Sequence, residues 1–151
     1  MPSDRDLSHL YPSFRTRVQF ILQALEDYSA LHMVGFKWIV VEGYRTAAYQ
    51  KELYAKGRTK PGRVVTFCDG YKKKSKHQSS MAVDIAPQHG HAIDWHVAPE
   101  HWAYLAHLYR SQNLTAGADW EKIVDKPHGE WPSEDKATYA KARAWQKQNG
   151  L

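Results

Sequence analysis

Ser75-Lys76-His77-Gln78-Ser79-Ser80-Met81-Ala82-Val83-Asp84-Ile85-Ala86-Pro87 decides how this chain folds. The first half is polar and ends a long loop. The second half, Met81 to Ala86, is apolar save for one residue and is expected to be a strand closed by Pro87. The exception is Asp84, between Val83 and Ile85. A carboxylate there is costly to bury unless it is paired or bound to a metal. A turn at Ser79-Ser80 would fold His77 back beside it. Two readings stand at this point: a His–Asp pair that helps to hold an ion, or a hydrogen-bonded aspartate with a surface histidine.

Asp125-Lys126-Pro127-His128 adds a third element, a carboxylate three residues before a histidine. Pro127 removes a backbone donor and stiffens the segment. A stiff loop can hold His128 on a metal while placing Asp125 beside the open position. Two neutral imidazoles and one carboxylate leave Zn²⁺ with net positive charge and room for water, the composition of a catalytic site. Such a metal lowers the pKa of water from 15.7 to about 7. Asp125 is then the candidate general base. Arg45, between a strand and a helix, is the candidate donor to the developing oxyanion, because its fork of N–H groups suits one. His89, His91 and His96 lie around Gly90 in an expected turn and read as solvated. Cys68 has no Cys-His-Asn pattern around it and does not read as a nucleophile.

Outward from these motifs the chain alternates helices with short strands. Phe14, Val18, Ile21, Leu22, Leu25 and Tyr28 recur at helical spacing, with Ser13 as the expected N-cap. Phe36 to Val41 reads as a strand. A helix carrying Ala47, Ala48, Leu53 and Tyr54 stops at Gly57. Arg58 to Lys76 is a long polar loop, a length uncommon unless functional. His91 to Trp95 is an expected short strand, Pro99 to Gln112 a helix, and Asn113 to Trp120 a turn. Ser133 is the expected cap of a C-terminal helix reaching about Gln148. The pattern is α+β.

The chain has 151 residues, 42% of them apolar and 25% charged, which suits one globular domain. A single cysteine excludes an internal disulfide. The N-terminus shows no basic region followed by an apolar run, so no secretory signal is expected. No apolar stretch approaches the roughly 20 residues of a membrane span, and membrane insertion is not expected. Net charge is +5, which draws the surface to polyanions, including anionic cell-wall polymers. The run Lys72-Lys73-Lys74 with Lys76 reads as a solvated loop. No RNA- or DNA-binding motif accompanies it, so no nucleic-acid partner is expected.

Gly43-Tyr44-Arg45-Thr46, Gln50, Leu53-Tyr54-Ala55-Lys56-Gly57-Arg58-Thr59-Lys60-Pro61-Gly62 and Val65-Thr66 resemble the L-alanyl-D-glutamate peptidases of bacteriophage endolysins, which belong with the zinc D-Ala-D-Ala carboxypeptidases. The metal signature of that family is Ser-x-His-x-x-Gly-x-Ala-x-Asp followed by Asp/Glu-x-x-His. It is matched by Ser75 to Asp84 and by Asp125 to His128, with Glu130 after it. The resemblance implies one Zn²⁺ per chain on His77, Asp84 and His128, with Asp125 as catalytic base and Arg45 polarising the scissile carbonyl. Ser75, Gln50 and Tyr44 are candidate substrate contacts. It further implies a small antiparallel sheet flanked by helices, as in the D-Ala-D-Ala metallopeptidase and hedgehog group. One peptidase domain over residues 1–151 is expected, with a family-like core over about 36–130 and a C-terminal helix over about 133–148.

The implied activity is cleavage of the L-Ala–D-Glu bond in peptidoglycan stem peptides by a monomer. The protein would be made in the host cytoplasm and act on the wall once the membrane is breached. The alternatives are a D,D-carboxypeptidase removing terminal D-Ala and a catalytically silent zinc-binding module. Three positions depart from the family. Ser80 replaces a glycine, so a different local turn is expected. Gly129 replaces an aromatic residue and would widen that side of the cleft. Ala116-Gly117-Ala118-Asp119-Trp120 stands for Trp-Gly-Gly-Asp-Trp.

Overall fold

Val83 and Ile85 alternate with Ala82, Asp84 and Ala86, and this period of two makes the segment a strand with both faces covered. In the computed structural model, which describes residues 3–151, that strand is β2 (Ala82–His89). It pairs antiparallel with β1 (Lys37–Glu42) on one side and with β5 (His128–Glu130) on the other. β4 (Thr115–Ala116) lies beyond β5, giving the order β1-β2-β5-β4, and β3 (Ala92–Ile93) pairs with the end of β2. The α+β class and the small antiparallel sheet are as expected.

α1 (Pro12–His32) packs against this sheet through Phe14, Val18, Ile21 and Leu25, all fully buried. Their spacing of three or four residues sets one apolar stripe. α2 (Ala47–Ala55) follows β1 and is capped by Thr46, whose side chain accepts from the Tyr49 N–H. α3 (Pro99–Ser111) buries Trp102, Leu105, Ala106, Leu108 and Tyr109. α4 (Lys136–Gln148) closes the chain over the 3-10 turn Lys76–Ser79.

The structure corrects several boundaries. α1 starts at Pro12, so Ser13 lies inside its first turn; proline is favoured there because its missing N–H would be unpaired anyway. β2 runs through Pro87 instead of stopping at it. The ring removes only a donor, and the Pro87 carbonyl still accepts the Asp94 N–H at 2.9 Å. Asp135, and not Ser133, caps α4: its carboxylate accepts from the Thr138 N–H and hydroxyl. Ser133 turns the other way and donates to Glu130 at 3.3 Å.

Two of the three family departures resolve differently from expectation. Ser80 keeps the left-handed turn that glycine would favour, at φ 60° and ψ 28°. Its fully buried hydroxyl accepts from Gln146 Nε2 at 2.8 Å, and this bond from α4 offsets the cost of the conformation. Gly129 does not border the cleft. In register with Val83, it faces α3, where a Cβ would stand 2.2 Å from the Tyr109 ring. Gly129→Ala is therefore expected to destabilise the fold by at least about 1–3 kcal/mol through overpacking. A denaturant midpoint equal to that of the parent would show that the ring can move aside.

Candidate metal centre

The sheet register brings the first two candidate ligands together. Asp84 on β2 is paired directly with His128 on β5, so both side chains leave the same face, opposite to Val83 and Gly129. Glu42 of β1 flanks Asp84 in the same row. His77 arrives from the 3-10 turn Lys76–Ser79. Ser75 Oγ accepts the His77 N–H at 3.3 Å, and Gln78 Oε1 accepts the Ser75 N–H at 2.9 Å, which fixes the turn. The left-handed Ser80 then sends the chain into β2.

One nitrogen or oxygen from each of His77, Asp84 and His128 lies within 4.8 Å of the others. No other such cluster of three metal-binding side chains occurs among the described residues. His77 Nδ1 donates to the Gly43 carbonyl at 2.7 Å, which leaves Nε2 with its lone pair facing Asp84 at 3.5 Å. His128 presents Nδ1 to Asp84 at 3.2 Å and is held from behind by Glu130, whose Oε1 accepts from Nε2 at 2.8 Å. Each imidazole thus has one nitrogen fixed by an acceptor and one turned inward. That arrangement orients metal-binding histidines and raises their basicity. The donor set of two nitrogens and one carboxylate fits Zn²⁺ with a free coordination position.

Burial and charge set the protonation states. Burial holds His77 down at about 3, despite the neighbouring Asp84, so its ring is neutral. Burial also opposes charging of His128, but the hydrogen bonds it donates to Asp84 and Glu130, with their charges, outweigh it and raise that ring to about 10. Burial alone would raise Asp84; the two imidazoles and Arg45 hold it at about 2. Metal binding at His128 Nδ1 therefore competes with a proton. Asp125 stands at the rim, its Oδ2 4.0 Å from His128 Nδ1. Burial, then the charge of Asp84, raises it to about 6.

Arg45 is buried at 8% exposure and held by two acceptors at 2.7 Å, Glu42 Oε1 on Nε and Gln50 Oε1 on Nη1. Its backbone N–H donates to the His77 carbonyl at 3.1 Å, tying it to the same turn. Gln50, expected as a substrate contact, is instead fully buried. Its amide nitrogen donates to Thr66 and Cys68, so its work is to fix Arg45 to the long loop. Ser75 shapes the turn. Tyr44 is half-buried beside His9. Trp120 lies 4.9 Å from the His128 ring and forms one side of the site.

Sequence reasoning assigned no role to Glu130, Glu42 or the Gly43 carbonyl. A histidine and a glutamate two apart are a signal only once 128–130 is known to be a strand. Glu130→Gln keeps the shape but weakens the acceptor on His128, and a loss of about tenfold or more in zinc affinity is expected. Competition with a chromophoric chelator measures this, and unchanged affinity would leave Glu130 without an orienting role. A cavity of about 640 Å³ lies elsewhere, between α1 and the edge strand β1. It carries none of these groups, and the chemistry marks the cluster of His77, Asp84 and His128 as the site.

No protein-family model matches the sequence. The chain is 31% identical over 102 residues to the peptidoglycan L-alanyl-D-glutamate endopeptidase CwlK of Bacillus subtilis (strain 168), covering 62% of this chain and 60% of that protein. The match thus spans less than two thirds of the relative's length. The fold is similar to that of the L-Ala D-Glu endopeptidase ChiX of Serratia marcescens, with a TM-score of 0.59, 20% identity and 89% of each chain covered. It is also similar to DacB of Streptococcus pneumoniae D39, with a TM-score of 0.57, 14% identity, and 94% of this chain and 77% of that one covered. In sequence the chain is similar to an L-alanyl-D-glutamate endopeptidase, and in fold it is similar to ChiX and DacB.

Proposed function

We propose that the protein is a zinc-dependent peptidoglycan endopeptidase that cleaves the L-Ala–D-Glu bond of stem peptides, with one ion held by His77, Asp84 and His128. The observation that carries this reading is the convergence of those three donors with Asp125 at their rim, in a relative of CwlK. Bound zinc supplies Lewis acidity that lowers the pKa of water to about 7. Asp125 takes a proton from the attacking water and returns it to the leaving amine of D-Glu. Arg45, with Nε and Nη1 fixed by Glu42 and Gln50, directs its remaining N–H groups at the oxygen of the scissile carbonyl. Glu130 and the Gly43 carbonyl keep the two imidazoles oriented.

Among the described residues no helix is long and apolar enough to cross a membrane. A role as a phage endolysin, made in the host cytoplasm and released to the wall by membrane breach, is part of the same proposal. Digestion of purified peptidoglycan followed by mass spectrometry tests it. New amino groups on D-Glu are expected. Release of free D-Ala would make the protein a D,D-carboxypeptidase, and uncut muropeptides with zinc supplied would leave only a metal-binding module.

A further inference from the structure

The basic run that the sequence presents as a solvated loop does not stand alone. Lys74 and Lys76 from it meet Lys136 and Arg143 of α4 around a pocket of about 420 Å³. Lys136, Tyr139 and Arg143 fall three and four residues apart and so share one helix face. The hydroxyls of Ser75, Ser79 and Ser133 complete the wall. Lys76 is set against α4 by the Tyr139 ring, with Nζ 4.7 Å from its centre. Tyr139 in turn is anchored, donating its hydroxyl to the Trp131 carbonyl. Among the described residues the lysine and arginine ion pairs are Arg45–Glu42 and Arg110–Asp119, so no carboxylate neutralises any of these four cations.

Four like charges around one concavity repel one another and focus a positive potential into it. A bound anion relieves both effects. A single carboxylate brings one charge and two oxygens, too little for four cations and the hydroxyls of Ser75 and Ser79, Ser133 being bonded to Glu130. A phosphate group brings more acceptor oxygens, and Lys and Arg recognise it by charge-assisted hydrogen bonds. Ser75 Oγ already accepts the His77 N–H and keeps its own proton to donate. The pocket is next to the metal centre but does not share its ligands.

We propose that this pocket binds phosphate groups of a phosphodiester polyanion, at a site separate from the metal centre. In the wall setting, which rests on the peptidase reading, the partner is a phosphodiester-linked wall polymer that holds the enzyme near its substrate. The test titrates zinc-loaded protein with inorganic phosphate and with a glycerol-phosphate oligomer, following backbone amide resonances. A triple variant Lys74→Ala, Lys136→Ala, Arg143→Ala is compared with the parent. Oligomer binding that is at least tenfold weaker in the variant, with zinc content and muropeptide cleavage unchanged, is expected. Equal binding by the variant, no binding by the parent, or shifts confined to residues around His77 and His128 would each overturn the proposal.

Co-sedimentation with walls before and after chemical removal of phosphodiester polymers tests the partner. Loss of binding after removal is expected; equal binding would overturn it, as would tighter binding of a DNA oligonucleotide of the same charge. The two readings fail separately. Uncut muropeptides with intact phosphate binding would remove the peptidase, whereas cleavage without phosphate binding would remove the pocket.

Discussion

Asp125→Ala is expected to retain its zinc and lose about 100- to 10,000-fold in kcat, the range that a positioned general base supplies. Asp125 is not one of the three mutually close donors, and its carboxylate is on the open side of His128. Removing it leaves His77, Asp84 and His128 in place. The raised pKa of about 6 also sets a direction with pH. Asp125 accepts a proton only when ionised, so kcat/KM is expected to fall as pH drops through its pKa. A cation bound nearby favours the carboxylate, which puts this acid limb at or below about 6. Parallel metal analysis and a pH–rate profile check both statements. Full activity in the zinc-loaded variant would take Asp125 out of the mechanism.

His128→Ala should abolish zinc binding and hydrolysis together, and it should also weaken the fold. His128 sits between Asp84 and Glu130, both within hydrogen-bonding distance. Its removal leaves two carboxylates of a largely buried site without their shared cation, a defect of about 3–5 kcal/mol when a buried pair is broken from one side. His77 provides the contrast. Its ring is neutral, and deleting it leaves the Gly43 carbonyl without its donor and removes one of the two imidazoles beside Asp84, which keeps His128 as a partner. His77→Ala is accordingly expected to lose zinc while keeping more of its thermal stability than His128→Ala. Metal content by mass spectrometry and Tm by calorimetry separate the two effects. Stoichiometric zinc in either variant would dismantle the proposed ligand set.

The candidate site was more legible in the sequence than the sheet that carries it. His77, Asp84, Asp125 and His128 are marked by residue type and spacing, because a carboxylate amid Met81 to Ala86 needs a reason to be there. α1 and α3 were legible because Phe14 to Leu25 and Trp102 to Tyr109 repeat at helical period. β4 and β5 were not: two and three residues are too few to show an alternation, and Gly129 has no β preference at all. The roles of Glu130 and Gly129 both depend on β5, so both were hidden with it. Gln50 misled for another reason. A polar side chain beside a catalytic candidate looks like a substrate contact until its burial and its two donor bonds are seen.

The hydrogen bond from Gln146 to Ser80 ties the far end of the polypeptide to the turn that presents His77. A second bond from the same amide, to the Gln78 carbonyl at 2.8 Å, doubles the tie. The last helix is consequently a clasp and not a spacer. Anyone grafting this fold onto a binding module should join the two beyond Gln146, since a splice placed earlier would loosen His77 while leaving every motif residue intact.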